Sequence, residues 1–305
     1  MKKFIKKTIL FSSPVIIFIV MVELLLRNIP NDYSYKKSYM DIHSNEVETL
    51  FLGSSHAFYS LNPNYIKSKS FNGAHIAQSL DYDFDILKKY KNKTSKLKFI
   101  VVPIDYFSLF NRLETGVESW RIKNYNIYYG FGRSYNLKDN IELLNGKLFE
   151  NIKRIFQYYI KHNSEVSCNK FGWGTKHNSK NNKELILSGK AAAKRHHKKK
   201  IFFYNENLAI VKEFIAFAKD KKAKLIFYTN PAYKTYTSQL NQEQLQKTYT
   251  TIRNIVKSNP NTRYYDFLTD SSFIKEDFFD ADHLNEIGAK KFSKKMDSII
   301  KSLRY

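Results

Sequence analysis

Two short segments hold residue types able to carry out nucleophilic chemistry: Gly53, Ser54, Ser55 and His56 early in the chain, and Asp280, Ala281, Asp282 and His283 near its end. A serine hydroxyl is a weak nucleophile until a base takes its proton, and a histidine base needs a carboxylate on its other ring nitrogen to hold tautomer and orientation. Asp280 and His283 lie three residues apart and can turn their side chains to one side of a tight loop. Asp282, adjacent to the histidine, is expected to point elsewhere. Ser55 is then the nucleophile, His283 its base and Asp280 the orienting acid. His56 reads as a polar residue at a helix start with no catalytic part, and His75 as a residue lining the site or merely exposed. Tyr233 and Tyr236 read as packing residues, with stacking on a sugar as the other option.

These side chains need a scaffold. An apolar run over 47–52 has strand length and ends at Gly53, and Leu61, Asn62 and Pro63 open a new helix or turn. Further runs of strand length fall at 98–102, 224–228 and 263–267, as buried parallel strands do. Between them, 80–90, 137–161, 207–222 and 239–257 carry apolar residues at three- and four-residue spacing, the pattern of helices with one buried face. Asn285 can cap a last helix, with Ile287, Phe292, Met296, Ile299, Ile300 and Leu303 as its core face. This alternation predicts an α/β sandwich. From about 110 to 200 it is interrupted by an aromatic stretch, one long helix and a Gly-, Lys- and Asn-rich segment over 171–190, read as an insertion over the site. The basic run 194–200 suits phosphate or acidic sugar, although a solvated charge run is the commoner case.

The chain has 305 residues, 43% of them hydrophobic and 16% aromatic, enough for one well-cored domain and an anchor. A single cysteine, Cys168, excludes an intrachain disulfide and a multi-cysteine zinc site. The net charge of +23 suits nucleic acid, anionic lipid or anionic glycan alike. The lysines are scattered and no nucleic-acid-binding signature accompanies them, which argues against nucleic acid.

Lys2, Lys3, Lys6 and Lys7 precede an apolar stretch, 8–26, of membrane-spanning length. No small-x-small cleavage pattern follows it, which favours a retained anchor over a cleaved signal peptide. The lysines before it outnumber Arg27, Lys36 and Lys37 after it, placing the N-terminus inside and the domain outside. Glu23 within the stretch either faces a partner helix or polar cavity, or reaches the interface near the outer end. The expected organisation is a tip and transmembrane anchor over 1–28, a stalk over 29–46 and a catalytic domain over 47–305.

The two reactive segments, in this order, resemble those of the SGNH/GDSL hydrolase superfamily, particularly its membrane-anchored branch that handles O-acyl groups on cell-surface polymers. The resemblance covers about 47–303. Gly53, Ser54 and Ser55 match the family's Gly-Asp-Ser block, with serine in the middle place as in many anchored relatives. Asp280 and His283 match its Asp-x-x-His block, which a helix follows here too. The second block aligns on 72–77 and implies that the Ala77 N–H joins the Ser55 N–H in an oxyanion hole. The third falls at 103–105, where Asp105 stands in place of an asparagine whose amide donates to the oxyanion. An ionised carboxylate cannot donate. An α/β-hydrolase also has a Gly-x-Ser turn, but its nucleophile follows several strands and its acid and histidine lie far apart.

The resemblance implies an SGNH-like (flavodoxin-like) α/β fold, a parallel sheet between helices, with one N-terminal transmembrane helix. It further implies a serine-dependent ester hydrolase or O-acyltransferase working on acyl groups, acetyl foremost, of cell-envelope glycans, with no metal or organic cofactor. The implied partners are the membrane, a glycan or acyl donor and an integral membrane acyltransferase. The other reading, favoured by Asp105, is a non-catalytic glycan-binding or assembly protein on the same scaffold.

Overall fold

The computed structural model describes residues 1–198 and 202–304. In chain order the helices are α1 Lys2–Arg27, α2 Asp32–His43, α3 Ser55–Ser60, α4 Leu80–Lys89, α5 Ile122–Asn124, α6 Leu148–Tyr159, α7 Leu185–His196, α8 Tyr204–Asp220, α9 Lys234–Thr237, α10 Gln242–Lys257 and α11 Glu286–Ser302. The strands are β1 Thr49–Phe51, β2 Ser70–Asn72, β3 Phe99–Pro103, β4 Lys224–Thr229, β5 Thr262–Asp266, β6 Phe278–Asp280 and β7 His283–Leu284. The chain forms two compact units, one of residues 1–37 and 117–166, the other of 38–116 and 167–305.

The second unit is built on a five-stranded parallel sheet in the order β2-β1-β3-β4-β5, which is the flavodoxin-like order. The α/β class expected from the alternation is therefore present. β3, Phe-Ile-Val-Val-Pro, is buried along its whole length, as a strand covered on both faces must be. Right-handed crossovers place α4, α8 and α10 on one face and α3 with α11 on the other. Phe84 of α4 meets Phe214 of α8 edge-on at 5.1 Å. On the α11 side, Phe292, Met296 and Ile300 pack into a core with Phe51, Val101, Ile226 and Tyr228. Ser293 of α11 accepts the Asn62 N–H at 2.8 Å and donates to Ser60 O at 3.3 Å, joining α11 to the end of α3. Asn285 caps α11 as expected, its Oδ1 accepting from the N–H groups of Ile287 and Gly288. Ile287, expected on the core face, is exposed, because that first turn is oriented by the cap rather than by packing.

Three elements differ from the sequence reading. The edge strand β2 and the hairpin β6–β7 are only two or three residues long, too short to show a period. The helix expected over 137–161 is real only from Leu148; ahead of it, 137–139 and 143–145 are single 3-10 turns with Gly146 between them and α6. The stretch 29–46, read as a stalk with little periodicity, holds the helix α2, with Tyr33, Lys36 and Met40 buried.

The first unit contains α1, α5 and α6. α1 is the one described helix long and apolar enough to cross a membrane, and it is almost wholly exposed. Its Glu23 accepts the N–H groups of Glu142 and Leu143 at 3.0 and 2.9 Å and pairs with Arg27 at 2.6 Å, so the unusual carboxylate is satisfied inside this unit. Glu142 is itself fully buried. Burial opposes its charge, but Lys123 and Arg154 outweigh that and hold its carboxyl below the usual range.

Candidate active site

In a flavodoxin-like sheet, connections leave β1 and β3 in opposite directions, opening a crevice at the carboxyl ends of those strands. Gly53, Ser54 and Ser55 lie at that place, directly after β1. Gly53 has a φ of +125° and donates its N–H to Asp83 Oδ1 at 2.6 Å. A Cβ there would come within 2.4 Å of Pro103 Cγ on the neighbouring strand, so only glycine lets the chain turn this tightly. Ser54 is the N-cap of α3 and accepts the His56 N–H at 3.3 Å. Ser55 becomes the first helical residue, where a backbone N–H has no partner within the helix.

The last segment arrives from the other end of the chain. Asp280 and His283 face each other across the β6–β7 hairpin. Ser55 Oγ is 2.8 Å from His283 Nε2, and His283 Nδ1 is 2.8 Å from Asp280 Oδ1. The same Asp280 oxygen accepts the backbone N–H groups of Asp282 and His283, which fixes the carboxylate before it meets the ring. Serine, imidazole and carboxylate thus lie in one hydrogen-bonded line.

Ala77 has a φ of +59°, the left-handed conformation at the position where the second block usually has glycine. Among the described residues its N–H makes no backbone hydrogen bond. His75, by contrast, is buried and donates its N–H to Gly53 O, aligning the 73–77 loop with the nucleophile turn. Asp105 does not act as a donor. Its Oδ1 accepts the Asn230 N–H at 2.9 Å and its Oδ2 faces His56 Nδ1 at 2.8 Å.

His56 is the residue that sequence reasoning missed. It is buried, with Asp105 on Nδ1 and Asp282 at 3.5 Å from Nε2. Burial alone would lower its pKa, but the two carboxylates outweigh burial and push it up to about 10. Asp282, expected to point away, points in: Oδ1 is 3.6 Å from His283 Nδ1, and Oδ2 is 3.3 Å from Arg195. Burial opposes its ionisation, yet His283 and the His56 imidazolium hold its carboxyl well below the usual range. In the basic run His196 turns toward the site and Arg195 reaches Asp282 from an exposed position, while Lys194 is exposed as in a solvated charge run. Lys199 and Lys200 of that run lie outside the described residues. His196 is kept neutral by burial, and its Nδ1 meets Tyr236 OH at 2.9 Å. Tyr233 and Tyr236 pack into the core, as expected of them.

His177, from the 171–190 segment, is stacked between Tyr59 at 3.4 Å and Phe279 at 3.9 Å, with its ring 5.2 Å from that of His283. Burial, reinforced by the neighbouring His283 and Lys183, pushes it down to about 2, so it presents a neutral face beside the His283 ring. His56, Asp282 and His283 are close enough to share a cation. Their ring nitrogens are already engaged with Asp105, Ser55 and Asp280, and Arg195 supplies a positive charge there, an arrangement that fits a hydrogen-bonded network better than a metal.

No protein-family model matches the chain, and no curated protein matches it. Among solved structures it is similar to one from Streptococcus pneumonia provisionally described as a platelet activating factor, at 11% identity and a TM-score of 0.44, covering 95% of this chain and 98% of that one. It is also similar to a provisionally described acylhydrolase from Bacteroides fragilis, at 11% identity and a TM-score of 0.41, covering 87% of this chain and 96% of that one.

Proposed function

We propose that the chain is a membrane-anchored serine esterase or O-acyltransferase acting on acyl groups, acetyl foremost, of cell-envelope glycans. The observation that carries the reading is the unbroken line Ser55 Oγ, His283 Nε2, His283 Nδ1, Asp280 Oδ1, at 2.8 Å for each contact. In this reading His283 takes the Ser55 proton as Oγ bonds to the acyl carbonyl carbon, and Asp280 stabilises the imidazolium that forms. The Ser55 and Ala77 N–H groups receive the oxyanion. The acyl carbon–oxygen bond then breaks, and the leaving alkoxide takes the proton from His283. Water or a sugar hydroxyl gives its proton to His283 and attacks the acyl-serine carbon; the bond from that carbon to Oγ breaks and His283 returns the proton to Oγ, restoring Ser55.

The membrane part rests on α1, and an N-terminus inside with the catalytic unit outside follows from the lysines before it. The glycan substrate, and an integral membrane acyltransferase as the supplier of the acyl group, follow from the resemblance to anchored O-acyl-handling proteins. No nucleic acid takes part in the proposed activity. The second reading, a non-catalytic glycan-binding or assembly protein, is favoured by the one observation that Asp105 accepts where the family's asparagine donates. A fluorophosphonate probe separates the two. Covalent labelling that disappears in Ser55→Ala supports the enzyme, and a wild-type protein that is folded yet unlabelled, with no release of acetyl from model esters, leaves the binding protein.

A further inference from the structure

We propose that α6 lies flat in the membrane interface beside the exit of α1, docking the first unit onto an anionic lipid surface. The proposal rests on α1 being a membrane span. Leu148, Phe149, Ile152, Phe156, Tyr159 and Ile160 are all exposed. At about 100° per residue they fall within an arc of roughly 120° on one side of the helix. A solvent-facing helix has no use for such a stripe, and a soluble monomer rarely exposes so continuous an apolar face. The other side of α6 is committed to the protein: Asn151 is buried and donates to Leu143 O, and Arg154 pairs with the buried Glu142 and with Glu165.

The depth at which the stripe sits identifies its occupant. Tyr159 OH donates to Leu25 O at 3.0 Å, in the last turn of α1, and Arg27 donates to Asn140 O at 2.6 Å. The apolar stretch 8–26 is about 28 Å long as a helix, close to the hydrocarbon thickness of a bilayer. Its last turn therefore emerges at the headgroup level, and α6, tied to that turn, is held at the same level. Lys147, Lys153 and Lys161 are exposed around α6, and the Lys161 ammonium lies over the Phe156 ring at 5.8 Å. Apolar side chains on one face with lysines around them are the pattern of an interfacial helix on anionic lipid.

The test uses the full chain in bilayer discs of phosphatidylcholine and phosphatidylglycerol, with Cys168→Ser removing the native thiol. An environment-sensitive dye is attached at Phe149→Cys, Ile152→Cys, Glu150→Cys or Ile16→Cys, and quenching is read from lipids carrying a spin label at shallow or deep positions. Dyes at 149 and 152 should be quenched most by the shallow label, the dye at 150 much less, and the dye at 16 most by the deep label. Dyes at 149 and 152 that stay in water while the one at 16 is quenched overturn the interfacial helix and leave the anchor intact. A dye at 16 that is not quenched overturns the proposal at the anchor itself. Dyes at 149 and 152 that are shielded in native membranes but not in lipid discs assign the stripe to a protein partner, against the proposal.

Discussion

His56 Nδ1 lies 2.8 Å from Asp105 Oδ2, a buried ion pair one residue beyond Ser55. The pair accounts for an aspartate rather than an asparagine at position 105. An asparagine could not balance a buried imidazolium, and an imidazolium without Asp105 would face only Asp282 at 3.5 Å. Through Asp282, which also approaches His283 Nδ1, His56 bears on the ring that contacts Ser55 Oγ. Asp282 held by His56 and Arg195 leaves Asp280 as the nearer carboxylate for that ring.

His56→Gln is therefore expected to lower kcat more than KM while leaving the protein folded. The pH dependence follows from the sign of the shift. A histidine raised from 6.5 to about 10 in the folded protein lends stability that is complete below about pH 6.5 and is lost as the pH rises through about 10. His283, His196, Asp105 and Asp282 all face this ring. Thermal denaturation between pH 6 and 10 should show the wild type losing more stability over that window than His56→Gln. Parallel profiles together with unchanged kcat would show the pair to be inert.

Replacing Ser55 by Ala should lower acyl turnover by about four orders of magnitude or more, and His283→Ala should match it, because members of a triad act as a unit. Asp280→Ala should be milder by about two orders of magnitude. Ser54→Ala should do much less, since Ser54 caps α3 and the cap is worth about 1 kcal/mol. Acetyl release by each purified variant, beside circular dichroism, is the measurement. Full activity in folded Ser55→Ala would end the serine mechanism.

Gly53→Ala places a Cβ within 2.4 Å of Pro103 and forces a non-glycine residue to a φ of +125°. A loss of about 2 kcal/mol or more is expected in denaturant unfolding, with fluorophosphonate labelling falling further than stability because the turn aims Ser55. An unchanged denaturation midpoint would mean that β3 yields at Pro103.

Burial pushes Asp83, the acceptor of the Gly53 N–H, up to about 7 from an ordinary 3.8; Asp81 adds to the shift, while Gln78 and Gly53 oppose it. For an acid raised in this way, the contribution to stability is complete below about pH 4 and is lost as the pH rises through 7. Asp83→Asn should flatten the fall in melting temperature between pH 4 and 8, a window below that of His56. A wild-type melting temperature already flat across that range would contradict the assignment.

The parallel strands and their helices were legible because apolar runs and helical spacing report burial directly, and Ser55, Asp280 and His283 because each stood in a short segment beside a readable strand or cap. His56 was hidden by its own neighbour: adjacency to Ser55 suggested a cap residue, and nothing local revealed that Asp105 and Asp282, 49 and 226 positions away, close on its ring. Asp282 misled for a similar reason, since its direction is set by the β6–β7 hairpin, which is too short to read. Gly146 and the 3-10 turns that shorten α6 compete with an apolar spacing that continues through them, so the pattern overstated the helix.

The junction of α3 with α11 makes the site the meeting of two distant parts of the chain, with Ser55 and His283 separated by 228 positions. During synthesis Ser55 leaves the ribosome long before His283, and until the β6–β7 hairpin pairs and α11 seats on Ser60 and Asn62 the Ser55 hydroxyl lacks its imidazole partner. On the proposed function, folding is then the safety catch of the chemistry: a stalled or clipped chain carries the hydroxyl without the means to ionise it.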